Sequence, residues 1–362
     1  MAGTSGPASS GQKGQTDMAR CTVAVVVPTY RRPRSLARCL AALAQLSRQP
    51  DEIVVVHRAS GDAETEAMIT AWLGQTTSGS RHRAVTVGHP GVLRAMEAGV
   101  YATTCAIIVM VDDDVCLRRD WLERCLAHYG DLRVVGVGGL DLLHYAGGTD
   151  YVPQATVGQV RWYGRMIGNH HRGYGAARSV HLLKGANMSL RRPFWRFDHR
   201  LRGVGAQVYW EAQVCLEAAR HGGVLIYDPA CVADHYPGQR FDADWRGNPR
   251  RQAIMDTCHN ETYVLLRSLP VWRRAPFLLY TLLVGHRQSW ALGRWLLAQA
   301  RHERVSWRQQ VVPSYQGKAA GIWTWLCTAR TWSRWMASRS DGRRRGTVGG
   351  PWQRPADRER IL

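Results

Sequence analysis

The sequence predicts an α/β fold: a Rossmann-like, mostly parallel sheet flanked by helices, with a C-terminal helical extension. Three observations carry this. Short β-branched runs alternate with helix-period segments over the first 111 residues. Those runs are apolar on both faces, as strands covered by helices on two sides must be. Past residue 270 the composition changes, and eight of the fifteen tryptophans fall between 271 and 336.

Val23–Val27 is the first strand, closed by Pro28, and Leu36–Leu46 has helical spacing. Ile53–Val56 and Ala63–Leu73 repeat the pair. Ala84–Val87 is a third strand, followed by a helix from about Gly91 to Tyr101, and Ile107–Val111 is the fourth strand. In such sheets ligands bind beyond the carboxyl ends of the strands. Two of those ends carry unusual residues, Pro28-Thr-Tyr-Arg-Arg32 and Asp112-Asp-Asp114. After residue 117 the pattern loosens through glycine-rich stretches at 136–139 and 164–175. A helix is predicted from about Ala206 to Arg220, stopped by Gly222-Gly223.

The chain has 362 residues and a net charge of +20, and 45 of its 48 basic residues are arginine. Such a field attracts polyanions: nucleotide phosphates, nucleic acid or an anionic membrane. A GC-rich genome produces the same arginine bias. Nine cysteines, an odd number with no CxxC pair, argue against a zinc ribbon or a disulfide scaffold. No apolar run reaches the roughly 20 residues of a membrane-spanning helix. Met1–Gln15 lacks a signal-peptide core, so a cytoplasmic setting is the expectation. The predicted organisation is a disordered leader over 1–19 and a main domain over 20–265, with a first part over 20–116 and a second over 117–265. A Trp/Arg-rich extension follows over 266–337, then a disordered basic tail over 338–362. Two readings of the extension stay open: helices lying peripherally on the inner face of the plasma membrane, or helices packed on the main domain.

Three acids on the end of a buried strand repel one another unless a cation offsets them. Asp112 and Asp114, alternate residues of an extended segment, are candidate ligands for Mn²⁺ or Mg²⁺, with a diphosphate completing the shell. The competing reading is a solvated loop with a helix cap. Glu211, bordering the inward stripe of its helix beside Trp210, is a candidate general base. It is equally compatible with an exposed helix glutamate. His235, just after an apolar run, is a third candidate metal ligand, and a structural loop histidine is the ordinary alternative. There is no HExxH, Walker A loop, GxGxxG after a strand, or GxSxG elbow.

Taken together, these residues resemble the family 2 glycosyltransferases, inverting enzymes of the GT-A fold, over about residues 22–265. Pro28-Thr-Tyr-Arg-Arg-Pro33 is similar to that family's nucleotide-facing first loop, and Val111-Asp-Asp-Asp114 to its DxD motif. Gly185-Ala-Asn-Met-Ser189 with Arg191-Arg192 resembles the donor and acceptor segment of a bacterial subgroup. Gly203-Val-Gly-Ala-Gln207 leading to Glu211 resembles the segment that carries the base. Asp228-Pro229, Asp234-His-Tyr-Pro237, Arg240 and His259-Asn-Glu-Thr262 match the same subgroup. The resemblance implies donor contacts from Pro28, Thr29, Tyr30, Arg32, Asp113, Gly185 and Asn187. Lys184, Arg191, Arg192 and Arg240 are candidates for phosphate charge. Many members carry an acid for the base at the end of the second strand; here His57 stands there, and Asp62 is the nearest acid. The QxxRW motif of processive synthases is absent, so single additions are expected. The implied partners are a nucleoside diphosphate sugar and a glycan or lipid-linked acceptor of cell-surface or exopolysaccharide assembly, with nucleic acid disfavoured. A nucleotidyltransferase acting on sugar phosphates and a non-catalytic polyanion binder are the alternatives.

Overall fold

The structure, a computed structural model, describes residues 21–59, 62–75, 79–149, 151–205, 207–238 and 250–341, with side chains in the last helix to Thr328. The predicted leader, Arg240 and the tail beyond residue 341 lie outside these residues.

Four strands build the N-terminal half: β1 (Val23–Thr29), β2 (Glu52–Arg58), β3 (Arg81–Val87) and β4 (Ile107–Val111). They pair in parallel, β1 between β2 and β4 with β3 outermost. Helices α1 (Pro33–Ala44), α2 (Ala63–Leu73) and α3 (Val92–Tyr101) make the crossovers. Pro33 opens α1 with its preset φ, and the Asp62 carboxylate caps α2 by accepting from the Thr65 amide. Alternate strand residues point to opposite faces. Val25, Val27, Val55, Ile107 and Val109 therefore enter one core with α1, and Val26, Val54, Val56, Ile108 and Met110 enter the other with Leu93 and Met96 of α3.

Beyond β4 the sheet becomes mixed. Its other strands are β5 (Val115–Leu117), β6 (Val134–Tyr145), β7 (Gly148–Thr149), β10 (Arg178–Val180), β11 (Asn187–Arg191) and β12 (Val224–His235), while β8 (Gln159–Val160) and β9 (Met166–Ile167) form a separate ribbon. The main order is β10-β12-β6-β11-β4-β1-β2-β3, and β11 runs antiparallel between β4 and β6. The glycines at 136–139 therefore belong to a twelve-residue strand, where the sequence predicts loosened structure. A Cβ on Gly139 would lie 1.7 Å from the Cys231 carbonyl oxygen, so close strand approach requires glycine there. The final strand, β12, runs on to include His235, which the sequence places after an apolar run.

Helix α4 (Trp121–Ala127) follows β5, and α5 (Trp210–Arg220) precedes β12. The C-terminal part contains α6 (Arg251–Ser268), α7 (Val271–Leu279), α8 (Leu292–Ala300) and α9 (Val312–Asp341), the last continuing past the predicted boundary at 337. Helix α9 packs along α6. Lys318 of α9 is fully buried and donates to the Thr281 and Trp290 carbonyls at 2.7 and 2.6 Å. Among the described residues no helix is long and apolar enough to cross a membrane.

Candidate active site

A cavity of about 290 Å³ opens at the carboxyl ends of β1 and β4. Pro28, Thr29, Tyr30 and Arg32 line it from the first loop, Asp112, Asp113 and Asp114 from the end of β4, and Lys184, Trp210 and Glu211 from the far side. The ends of parallel strands converge there by topology.

The three acids are held differently. Asp113 is buried, accepts from the Thr29 hydroxyl at 2.7 Å and pairs with the Arg32 guanidinium at 2.8 Å. Burial raises its pKa to about 6 against the pull of Arg32. Asp114 accepts from the Gly238 amide at 3.0 Å, meets Arg32 at 3.2 Å and lies 3.3 Å from Nε2 of His235. Although burial pushes its pKa up, the hydrogen bond and charge of His235 hold it well below the ordinary carboxylate range. Asp112 is half-buried on the cavity wall.

His235 contacts Asp114 through Nε2 and Asp141 through Nδ1, the latter at 2.9 Å. Burial opposes its charge, yet the bonds to both carboxylates raise its pKa to about 10. The same geometry suits a divalent ion. A carboxylate that orients one ring nitrogen leaves the other aimed as a ligand, and the Asp114 carboxylate oxygen beside it is a hard donor. The fit is for two protein donors, with diphosphate and water supplying the rest. Among the described residues no group of three His, Cys, Asp or Glu side chains has metal-holding geometry, so the predicted trio does not form such a group, although Asp112 lines the same cavity as Asp114.

Glu211 lies in the first turn of α5, with Lys184 Nζ 3.8 Å from its carboxylate. Four features position it. Tyr209 adopts left-handed backbone, φ 71°, and turns the chain into the helix. Gly185 lies beneath, where a Cβ would come within 2.2 Å of Trp210 and 3.0 Å of Glu211 itself. Ahead of the helix, the Gln207 side chain accepts from the Leu93 amide at 3.1 Å and the Gly205 carbonyl from the Val92 amide, fastening the loop to the start of α3. Asn260 of α6 holds it from behind: its amide donates to the Arg202 and Val208 carbonyls, and its oxygen accepts from the Arg202 amide.

Other candidates do not reach the cavity. Asn187 is fully buried, bonded to the Trp121 indole and the Leu140 carbonyl. It lies in β11, whose central place in the sheet turns it into the core. Arg191, at the far end of that strand, gives its guanidinium to the Val134 and Tyr129 carbonyls, so it holds backbone and no phosphate. Asp62 caps α2 and accepts from the Arg31 amide at 2.8 Å, bracing the first loop from outside. Of the lining residues absent from the candidate set, two carry basic side chains. Arg58 stacks over the Tyr30 ring, 3.5 Å from its centroid, and His89 follows β3. Arg58 ends β2 and His89 stands just past β3, and that position is the signal that would have found them.

Residues 24–194 match the model described as "Glycosyl transferase family 2". No curated protein sequence matches the chain. Among solved structures, TarS 1–349 of S. aureus in complex with UDP-GlcNAc superposes with a TM-score of 0.53 at 14% identity, covering 74% of this chain and 75% of that one. GalNAc-T7 with UDP, GalNAc and Mn²⁺ superposes with a TM-score of 0.50 at 13% identity, covering 78% of this chain. The present chain spans 57% of the length of GalNAc-T7. The fold is of the GT-A type.

Proposed function

Taking residues 24–194 as a family 2 glycosyltransferase segment on a GT-A sheet, we propose that the protein transfers one sugar from a nucleoside diphosphate sugar to an acceptor hydroxyl with inversion. The observation that carries this is a single cavity with the Asp112–Asp114 strand end on one wall and Glu211 with Lys184 on another. The acceptor oxygen attacks the anomeric carbon from the face opposite the diphosphate. Glu211 takes the hydroxyl proton, the bond from the anomeric carbon to phosphate oxygen breaks, and the nucleoside diphosphate leaves. One direct displacement inverts the centre.

Asp114 and His235 would hold Mn²⁺ or Mg²⁺, with Asp141 orienting the imidazole through Nδ1. The ion, when bound, offsets the charge gathering on the departing diphosphate. Lys184 contributes a second positive charge beside Glu211. Tyr30, stacked under Arg58, offers an aromatic face for the base, and Arg32 and Thr29 keep Asp113 rigid at the floor. The acceptor class of this reading is a glycan or lipid-linked sugar of the cell surface.

The test uses purified protein, a panel of nucleoside diphosphate sugars beginning with UDP-GlcNAc, and Mn²⁺. Glu211→Gln is expected to lower turnover by about 10²–10⁴-fold while the donor-induced thermal shift persists. Asp114→Ala is expected to lose the Mn²⁺-dependent part of that shift. Unchanged turnover in Glu211→Gln would remove that residue from the mechanism.

A further inference from the structure

We infer that the outer face of the α7–α8 hairpin docks on a lipid bilayer bearing anionic headgroups, lying in its interface without crossing it. Leu279, Leu283 and Val284 are 61%, 58% and 52% exposed, and Leu292, Leu296 and Leu297 are 44%, 52% and 44% exposed. Leu279 closes α7, and Leu283 and Val284 lie in the π-helical turn Tyr280–Val284 that continues it, while Leu292 and Leu296, four residues apart in α8, share a face of that helix. The two rows adjoin: a Cβ on Gly293 would lie 2.9 Å from the Leu283 carbonyl oxygen and 3.3 Å from the Val284 Cα.

The hairpin is held from its other side. Phe277 is buried against Gly164, and Thr281 and Ala298 are buried too. The Tyr315 hydroxyl of α9 donates to the Leu282 carbonyl and accepts from the Leu292 amide, clamping both arms. The leucines therefore face outward because the opposite face is anchored. A contiguous exposed apolar face marks a contact surface.

Charge selects the occupant. From Thr262 to Ser340 the sequence holds eleven arginines, one lysine and a single acid, Glu303. Arg287, at the hairpin turn, and Arg301 and Arg304, just after α8, are exposed. Exposed leucines with Arg287 at the turn and Arg301 and Arg304 just after α8 suit an anionic lipid surface, where leucines enter the acyl boundary and guanidinium groups meet phosphate. Nucleic acid would match the arginines and leave the leucine face unused. A second copy of this chain would bring the same positive charge to the contact.

The experiment is vesicle flotation of the full chain at low salt without sugar donor, so its result is independent of the transfer reaction. Vesicles of phosphatidylcholine alone are compared with vesicles containing about a third phosphatidylglycerol, a composition chosen to give an anionic surface. Binding is expected on the anionic vesicles and to fall at least tenfold on neutral ones. The double variant Leu283→Glu/Leu296→Glu is expected to lose it, and Leu132→Glu, at a distant exposed site, to keep it. Each variant is checked for wild-type thermal unfolding. If the double variant unfolds early, the milder Leu283→Ser/Leu296→Ser replaces it. No flotation with anionic vesicles, binding that survives loss of the leucines, or a dimer abolished by the same variants would overturn the inference.

Discussion

The parallel half of the sheet and the C-terminal helices keep opposite company. In β1, β2 and β4 nearly every side chain is an aliphatic residue sealed on both faces, and polar groups appear at the strand ends. The C-terminal part adds buried polar groups and outward leucines to its apolar contacts. Lys318, His259, Asn260, Glu261, Ser289 and Ser314 are buried, while Leu279, Leu283 and Leu296 face out. The sheet is held by non-directional apolar burial, which leaves its carboxyl edge free to carry acids at no cost to the core. The helices add directional hydrogen bonds from buried polar groups to the apolar contacts of Tyr263, Val264, Leu265, Leu266 and Phe277, and they leave apolar surface for another contact. The two regimes meet at Asn260, where a C-terminal helix holds the loop that leads to Glu211.

The largest effect should come from the sheet. Ile108→Ala removes a fully buried side chain from the middle of β4 and is expected to lower stability by about 2–5 kcal/mol. Denaturant unfolding measures it. Donor affinity of the folded fraction should stay unchanged, because Ile108 does not line the cavity. A change in donor affinity equal to the loss of stability would erase the distinction between the scaffold and its edge.

A smaller effect is expected at the junction. Asn260→Ala leaves the Arg202 amide and the Arg202 and Val208 carbonyls without their partner; Arg202 and Val208 are exposed, so water replaces part of what is lost and the total cost is about 1–3 kcal/mol. The loop before Glu211 then loosens, so kcat should fall while the donor-induced thermal shift remains. Equal losses in both would show Asn260 to be a stability residue alone.

The smallest effect is a pH response confined to the helices. Burial pushes the Glu261 carboxyl up, but the His286 imidazole, 2.7 Å away, and neighbouring donors bring it below its ordinary 4.5. A depressed folded pKa means the contribution is complete above about pH 4.5 and is lost as the pH falls through the folded value. Tryptophan fluorescence, to which the C-terminal helices contribute buried Trp290, should therefore change on acidification before the far-ultraviolet signal of the sheet is lost. Simultaneous loss of both signals would mean that the two regions unfold as one unit. In Glu261→Gln the early change should disappear.

The strand and helix alternation through Val111, the acid cluster at 112–114 and the helix carrying Glu211 were legible in the sequence. Each is a local pattern: hydrophobic period reports which faces are buried, and a run of like charges at a strand end stands out against it. The antiparallel insertion of β11 had no such signal, so Asn187 and Arg191 read as donor contacts when the sheet places one in the core and the other on backbone carbonyls. The pairing of His235 with Asp141 spans 94 residues and exists because β6 and β12 lie side by side. Asn260 reaches its loop across 58 residues. Arg58 ends β2 and His89 stands just past β3, so both needed only the strand boundaries to be found. Periodicity is a property of neighbours along the chain, so the sequence alone determined the elements and the chemistry at their ends. Which distant ends face each other depends on strand order and register, which exist only once the chain has packed, and the tertiary structure alone decided that.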